Sequence, residues 1–416
     1  MLLRLAIGSL RARALTVCMT VLAIALSVAL FLGVEKVRNG AKASFFNTIS
    51  DTDLIVGARS GSVQLLLYSV FRIGNATDTI SWQAYKNIVA RPDVAWAVPI
   101  SLGDSHRQFR VMGTTRDFFD RYKFRGGQSL TLAEGELNSD LFDAVIGADV
   151  AESLGYSVDT EITVAHGLVS FTEHADQPFR VSGILSNTGT PVDRTVIVSL
   201  EAIEAIHVDW RNGARVPGVK TPVEDIRSMD LTPNAVTAVY VGVESPLRTL
   251  ALQRAINDYS SEPLLAILPG VALQELWGII GVAENALLAV STMVVFTALL
   301  CLMATMFSSL NERRREMAIC RAMGARPRNI VGFLVLEAVL TATVGAVLGV
   351  ALLYFGLAIA QPVIDRRFGL WLPLEPLSLV EYVLLSCVIL AGAIVSLLPA
   401  WRAYRLSLAD GMNVRT

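Results

Sequence analysis

Charge is scarce in this sequence. Only 17% of its 416 residues are Asp, Glu, Lys or Arg, against 53% in the hydrophobic set, and the mean hydropathy is +0.52. A soluble chain of this length needs more charge to cover its surface, so the composition points to a membrane protein. Cysteine is nearly missing: Cys18, Cys301, Cys320 and Cys387 all fall outside roughly residues 35–280. That middle segment therefore uses no disulfide whichever compartment it faces, and it is large enough not to need one. A net charge of only −2 excludes a nucleic-acid binder. No G-x-x-x-x-G-K-[ST] stretch occurs, so ATP phosphates cannot be cradled by that device. Nor does any serine, cysteine or carboxylate spacing suggest hydrolytic catalysis, and the chain is read as no enzyme.

What is present instead is long apolar runs. Ala14–Val34 carries no charge for about 21 residues, enough to cross a hydrocarbon core of roughly 30 Å. A cleaved signal peptide is the rival reading, with Ala41-Lys42-Ala43 as the small-residue site. The run is too long for a signal core, however, and Glu35-Lys36-Val37-Arg38 intervenes. Further spans cover about Ala286–Leu310, Ile330–Ala360 and Leu379–Leu398. The linker between the second and third holds Arg313, Arg314, Arg315, Arg321, Arg326 and Arg328 against Glu312 and Glu316; the next linker is balanced. The positive-inside rule then places the basic linker and both termini in the cytoplasm.

The large segment between the first two spans lies outside under this topology. Short alternating or β-branched runs mark strands at Asp53–Ala58, Ala95–Ser101, Phe109–Thr115, Glu161–His166, Phe179–Leu185, Arg194–Ser199 and Val236–Val243. Helical stretches at Ala148–Leu154, Leu200–His207 and Leu247–Tyr259 separate them. The fold class is an α-helical membrane protein with four transmembrane helices and a large mixed α/β extracytoplasmic domain between helices 1 and 2. Expected boundaries are a cytoplasmic N-terminus 1–13, helix 1 at 14–34, the α/β domain at 50–272, and stalk plus helix 2 at 273–310. A cytoplasmic loop at 311–328, helix 3 at 329–360, an outer loop at 361–378, helix 4 at 379–399 and a cytoplasmic tail at 400–416 complete the chain. Helix 1 can continue as a stalk to about residue 49, although Gly40 weakens that extension.

The segment Phe307–Ile330, FSSLNERRREMAICRAMGARPRNI, resembles the cytoplasmic loop of the MacB/LolC/FtsX family of ATP-binding-cassette (ABC) permeases, a basic helix ending in an R-A-x-G-A turn. Glu312, Arg313, Glu316, Ile319, Arg321, Ala322, Met323, Gly324 and Ala325 carry the match. Val145–His166 with Phe179–Leu185 resembles the core of the MacB-type periplasmic domain, and the chain closes on a family-like Pro399-Ala400-Trp401-Arg402-Ala403. A basic loop taken alone reads as a plain positive-inside anchor, and the match turns the reading to docking, for which the residues are suited. Met317, Ile319, Ala322 and Met323 give the loop helix an apolar side, Arg313, Arg314, Arg315 and Arg321 a cationic rim, and Gly324 suits a helix terminator.

The resemblance implies a permease subunit of a bacterial inner-membrane ABC system that relays ATP-driven motion to its periplasmic domain. The object moved would be a lipoprotein, peptide or hydrophobic small molecule. It also implies two copies of a separate ABC ATPase that hold the ATP and Mg, a second permease (a homodimer or a paralogue), and a periplasmic adaptor or cargo protein, all set among membrane lipids. An FtsX-like regulatory scaffold that activates a cell-wall hydrolase without moving cargo is the alternative.

Three features lie outside that motif. Glu337 is a carboxylate in an apolar run and is read as structural or coupling, paired with arginines near the inner interface. Gly345 and Gly349 form a G-x-x-x-G spacing suited to close helix approach, within the chain or in a dimer. His166 and His174, with Glu173 and Asp176, match no tight metal-ligand spacing, so no metal site is assigned. The net charge of −2 is itself a cancellation. Twelve of 35 basic residues but only three of 37 acidic ones fall in the cytoplasmic segments, leaving an acidic exterior.

Overall fold

The computed structural model describes residues 13–167, 176–211, 214–216, 218–312, 326–368 and 375–405. They divide into two compact units. One holds the described residues up to Gly40, Gly281–Pro362 and those after Leu372; the other holds Ala41–Ile280 and the described residues from Val363 to Phe368. Helices of seven or more residues are α1 (Ala14–Asn47), α2 (Ser62–Ser69), α3 (Trp82–Val89), α4 (Ala148–Leu154), α5 (Leu200–His207), α6 (Thr249–Asn257), α7 (Pro269–Glu312), α8 (Pro327–Phe368) and α9 (Leu379–Arg405).

Among the described residues, four helices are long and apolar enough to cross a membrane: α1, α7, α8 and α9. Their apolar side chains point both ways. Ile24, Val28, Leu32, Leu302, Met306, Leu334 and Leu353 are buried against one another, whereas Leu22, Leu26, Val290, Phe296, Leu348, Phe355 and Ile394 stand exposed. A helix apolar all round suits a lipid surround. Pro327 takes the first helical position of α8, where its missing N–H costs nothing. α9 opens on a reciprocal cap: the Ser378 N–H donates to Glu381 Oε2 at 2.6 Å, and the Glu381 N–H donates to Ser378 Oγ at 3.3 Å.

The α/β unit is a mixed sheet. Its strands are β1 (Leu54–Ala58), β2 (Val94–His106), β3 (Phe109–Thr114), β4 (Leu132–Gly135), β5 (Asp143–Ile146), β6 (Glu161–Ile162), β7 (Ala165–His166), β8 (Phe179–Leu185), β9 (Thr195–Ser199), β10 (Ala238–Val243) and β11 (Leu264–Ile267). Among the described residues the order is β11-β1-β10-β2-β3-β9-β5-β8-β4, with β7 paired to β2 and β6 to β8. The β9–β3 and β8–β5 pairs are parallel; the remaining pairs in the sheet are antiparallel.

Alternation along these strands builds a core on each face. Ile55, Val98, Ile100, Met112, Val145, Ile197 and Tyr240 meet α2 and the Phe118–Phe124 segment on one side. Leu54, Val56, Val239 and Val241 meet α3 and α6 on the other, while Val111, Ala144, Ile146, Val196 and Val198 meet α5 there. Strands covered on both faces read as nearly continuous apolar runs, which explains why LIVGA and TVIVS carry so little polarity.

Several expectations change. Ala95–Ser101 is part of a longer strand, β2, that runs on to His106. Glu161–His166 is two short strands, β6 and β7, on different partners. β4, β5 and β11 go beyond the expected strands; each has only four residues. Outside the expected helices, Ser62–Ser69 forms α2, whose Leu65, Leu66 and Tyr68 are buried core. α1 continues unbroken through Gly40 to Asn47. Phe45 near its end packs on Phe71 (ring centroids 4.6 Å) and edge-on to Trp277 (5.7 Å), outweighing the cost of one helical glycine.

Candidate functional site

The basic segment is the strongest functional signal in the sequence. α7 ends at Glu312. Arg313, Arg314, Arg315, Glu316, Met317, Ile319, Arg321, Ala322, Met323 and Gly324 lie outside the described residues. On the far side the Asn329 N–H donates to the Arg326 carbonyl at 2.8 Å as α8 begins.

Inside the helical unit the polar residues converge. Glu337 on α8 is 7% exposed and lies 3.6 Å from the Arg13 guanidinium just ahead of α1. Thr341 Oγ1 donates to the Glu337 carbonyl (2.8 Å), and Thr20 lies 3.5 Å from Thr305. These groups and Ser309 border one small cavity of about 30 Å³. A carboxylate in an apolar bundle is tolerable when a cation faces it, and Arg13 supplies one. Gly345 and Gly349 face α1: a Cβ at Gly345 would sit 2.7 Å from Ile24 Cγ2, and one at Gly349 would sit 2.7 Å from the Ala25 carbonyl. The G-x-x-x-G spacing therefore serves helix approach within the chain.

At the other end of this unit lies a cluster that sequence reasoning missed. Lys36 Nζ sits 3.5 Å from Glu381 and donates to the Glu375 and Pro376 carbonyls at 3.0 and 3.2 Å. Tyr354 also donates to the Glu375 carbonyl (2.7 Å). The Ser-x-x-Glu pattern opening α9 was the available signal; Lys36, 339 residues from Glu375 in sequence, gave none.

In the α/β unit, buried acids hold turns together. Asp193 accepts from the Thr188 N–H (2.9 Å), Thr188 Oγ1 (2.8 Å) and the Gly189 N–H (2.6 Å). Burial nevertheless pushes its carboxyl above the usual range. Burial also works against Asp143, but the Asp140 and Ser139 N–H groups and Arg180 at 2.9 Å hold it below the usual carboxylate range. A cleft of about 330 Å³ opens beside Tyr68, Arg72, Asn75 and Arg110. Arg110 is committed within it, donating to the Gly74 carbonyl and to Asn75 Oδ1 at 2.5 and 2.7 Å.

The described histidines fall into two places. His106 bonds Tyr156 (2.9 Å) and the Thr163 carbonyl (2.6 Å) and is buried. His166 meets His207 and Asp104 instead, at 3.0 and 3.3 Å. His174 and Glu173 lie outside the described residues, and Asp176 pairs with Lys220 at 2.7 Å.

Four spanning helices with a mixed α/β domain between the first two define the class, a membrane protein with one large folded insertion. Residues 17–259 match the family model for the MacB-like periplasmic core domain, and residues 288–408 match that for the FtsX-like permease C-terminal region. The chain belongs to this MacB/FtsX-like ABC permease family. It is 24% identical over 424 residues to the macrolide export ATP-binding/permease protein MacB of Azoarcus sp. (strain BH72), covering 97% of this chain and 58% of that protein. The MacB of Wolinella succinogenes is 22% identical over 413 residues, covering 97% and 59%. The chain thus spans under two thirds of the length of these relatives.

Two solved structures show a partial likeness to this chain. The periplasmic region of MacB from Actinobacillus actinomycetemcomitans covers 55% of this chain and 94% of its own, with 10% identity and a TM-score of 0.35. The extracellular domain of the noncanonic ABC-type transporter YknZ from Gram-positive bacteria covers 52% and 99%, with 14% identity and a TM-score of 0.30. The family assignment rests on the sequence matches.

Proposed function

We propose that this chain is the permease subunit of an ABC system in the bacterial inner membrane, with both termini cytoplasmic and the α/β domain periplasmic. It works by mechanotransmission, relaying ATP hydrolysis in a separate ATPase to movements of its periplasmic domain. The observation that carries this reading is the co-occurrence, on one chain, of a MacB-like periplasmic core domain and an FtsX-like permease region. α1 and α7 suit the relay, because each is one continuous helix with residues in both compact units.

The ATPase, present in two copies, would supply ATP and Mg chemistry. The residues Glu312–Gly324 would dock into it, and a second permease copy or a paralogue would complete the assembly. The cargo class is a lipoprotein, peptide or hydrophobic small molecule handled on the periplasmic side, with an adaptor protein as a further partner.

The test is affinity purification from the native membrane followed by reconstitution. An ATPase should co-purify with the wild-type chain, and its turnover should depend on the permease. The triple charge reversal R314E/E316K/R321E should cut co-purified ATPase and coupled turnover about tenfold or more while membrane insertion is retained. Unaltered coupling in that variant would sink the docking claim.

A further inference from the structure

We propose that Asp104, His166 and His207 form a binding site for a divalent first-row transition ion, zinc(II) foremost, in the α/β domain. The three come from segments far apart in sequence. Asp104 sits near the end of β2, His166 lies directly opposite it in the β7–β2 register, and His207 is the last residue of α5. Their donor atoms converge: His166 Nδ1 to His207 Nε2 is 3.0 Å, His166 Nδ1 to Asp104 Oδ1 3.3 Å, and His207 Nε2 to Asp104 Oδ1 3.7 Å. Donors held about 2.0–2.1 Å from one tetrahedral ion are about 3.3 Å from each other, so the triangle already has the dimensions of a coordination face.

Proton bookkeeping favours a cation at its centre. His207 Nδ1 lies 2.7 Å from the Ile203 carbonyl, an acceptor only, so that nitrogen carries the proton and the neutral ring presents its Nε2 lone pair to the cluster. Such a carbonyl bond is the usual outer-shell device for orienting a ligating imidazole. Asp104 Oδ1 is buried, its side chain 4% exposed, and it makes no hydrogen bond of good geometry. A divalent ion accepts all three donors at once, and two imidazoles with a carboxylate are a set that zinc and its neighbours favour. His166 and His207 are 38% and 25% exposed, which leaves an approach for the ion and a fourth position for water or a donor from a bound molecule.

This inference is independent of the transport reading, since its readout is metal content. The full chain in detergent is stripped with EDTA and titrated with zinc(II) against a chromophoric chelator. The expected result is one ion per chain with a Kd below about 1 μM, weakened about 100-fold or more in H166A and in H207A. Cobalt(II) on the wild-type chain should give visible d–d bands of tetrahedral intensity, a readout that survives even where a variant misfolds. A wild-type chain that shows no such bands and no submicromolar zinc, or binding unchanged in both variants, would reduce the cluster to a hydrogen-bonded trio.

Discussion

The two units of this protein invert one another. In the α/β unit the large apolar side chains are buried on both faces of the sheet, as with Ile55, Phe118, Phe179 and Tyr240. In the helical unit many of them face outward. On α8 the buried positions include Ala338, Thr341, Ala342 and Ala346, whereas Val347, Leu348, Leu352 and Phe355 are exposed. Water makes the first arrangement favourable, because apolar area leaves the solvent on folding. Lipid removes that driving force between helices, so close packing of small residues replaces it. The same amino-acid types therefore stabilise one unit by being buried and suit the other by being exposed.

Deleting a benzyl group in each unit breaks or upholds that contrast most directly. Phe118 is 0% exposed in the α/β core, and F118A should lose about 3–5 kcal/mol of stability through lost transfer energy and a cavity. Phe355 is 68% exposed, and F355A should change the stability of the detergent-solubilised chain by less than about 0.5 kcal/mol. Thermal unfolding of both variants, followed by α/β-domain and whole-chain probes, decides the matter. Equal losses would mean that Phe355 is packed against protein in the assembly.

A smaller effect tests the packing of small residues. A Cβ at Gly349 would stand 2.7 Å from the Ala25 carbonyl and 2.8 Å from Val28 Cβ. G349L should separate α1 from α8 and cost about 2–3 kcal/mol, with overpacking rather than lost hydrophobicity as the cause. G356L should cost far less, since a Cβ there meets nothing within 4 Å. Parity between the two variants in detergent melting would remove the close approach as a stabilising feature.

How much of this was legible beforehand follows the same division. Spanning helices announce themselves by uninterrupted apolar length, and strands such as Phe179–Leu185 by β-branched runs, because each signal is local. β4, β5 and β11 went unread, since four residues carry too little pattern. The Arg13–Glu337 pairing was foreseeable in kind, a buried acid near basic residues. The Lys36–Glu381 pair was not, and neither was the convergence of His166, His207 and Asp104. Sheet register and the landing point of α5 create that cluster, and neither is written in the spacing of the three residues.

The smallest effect contrasts the ion pairs of the two units. Arg227 grips Asp140 bidentately, with both N–H···O distances 2.6 Å, and holds the Asp140 carboxyl down to about 2. Its side chain is 44% exposed, so water and salt screen most of that gain, and D140N should cost only about 0.5–1 kcal/mol at neutral pH. The sign follows from linkage. A carboxyl whose pKa falls on folding stabilises the native state above its unfolded value near 3.9, and that contribution disappears as pH drops toward 2. The gap between D140N and the wild type should therefore be full at pH 5, close by about pH 2, and shrink in 1 M salt. Arg13–Glu337, with side chains 19% and 9% exposed, should keep its contribution in the same salt. If salt erased both equally, the helical unit would be as open to water as the surface of the α/β domain.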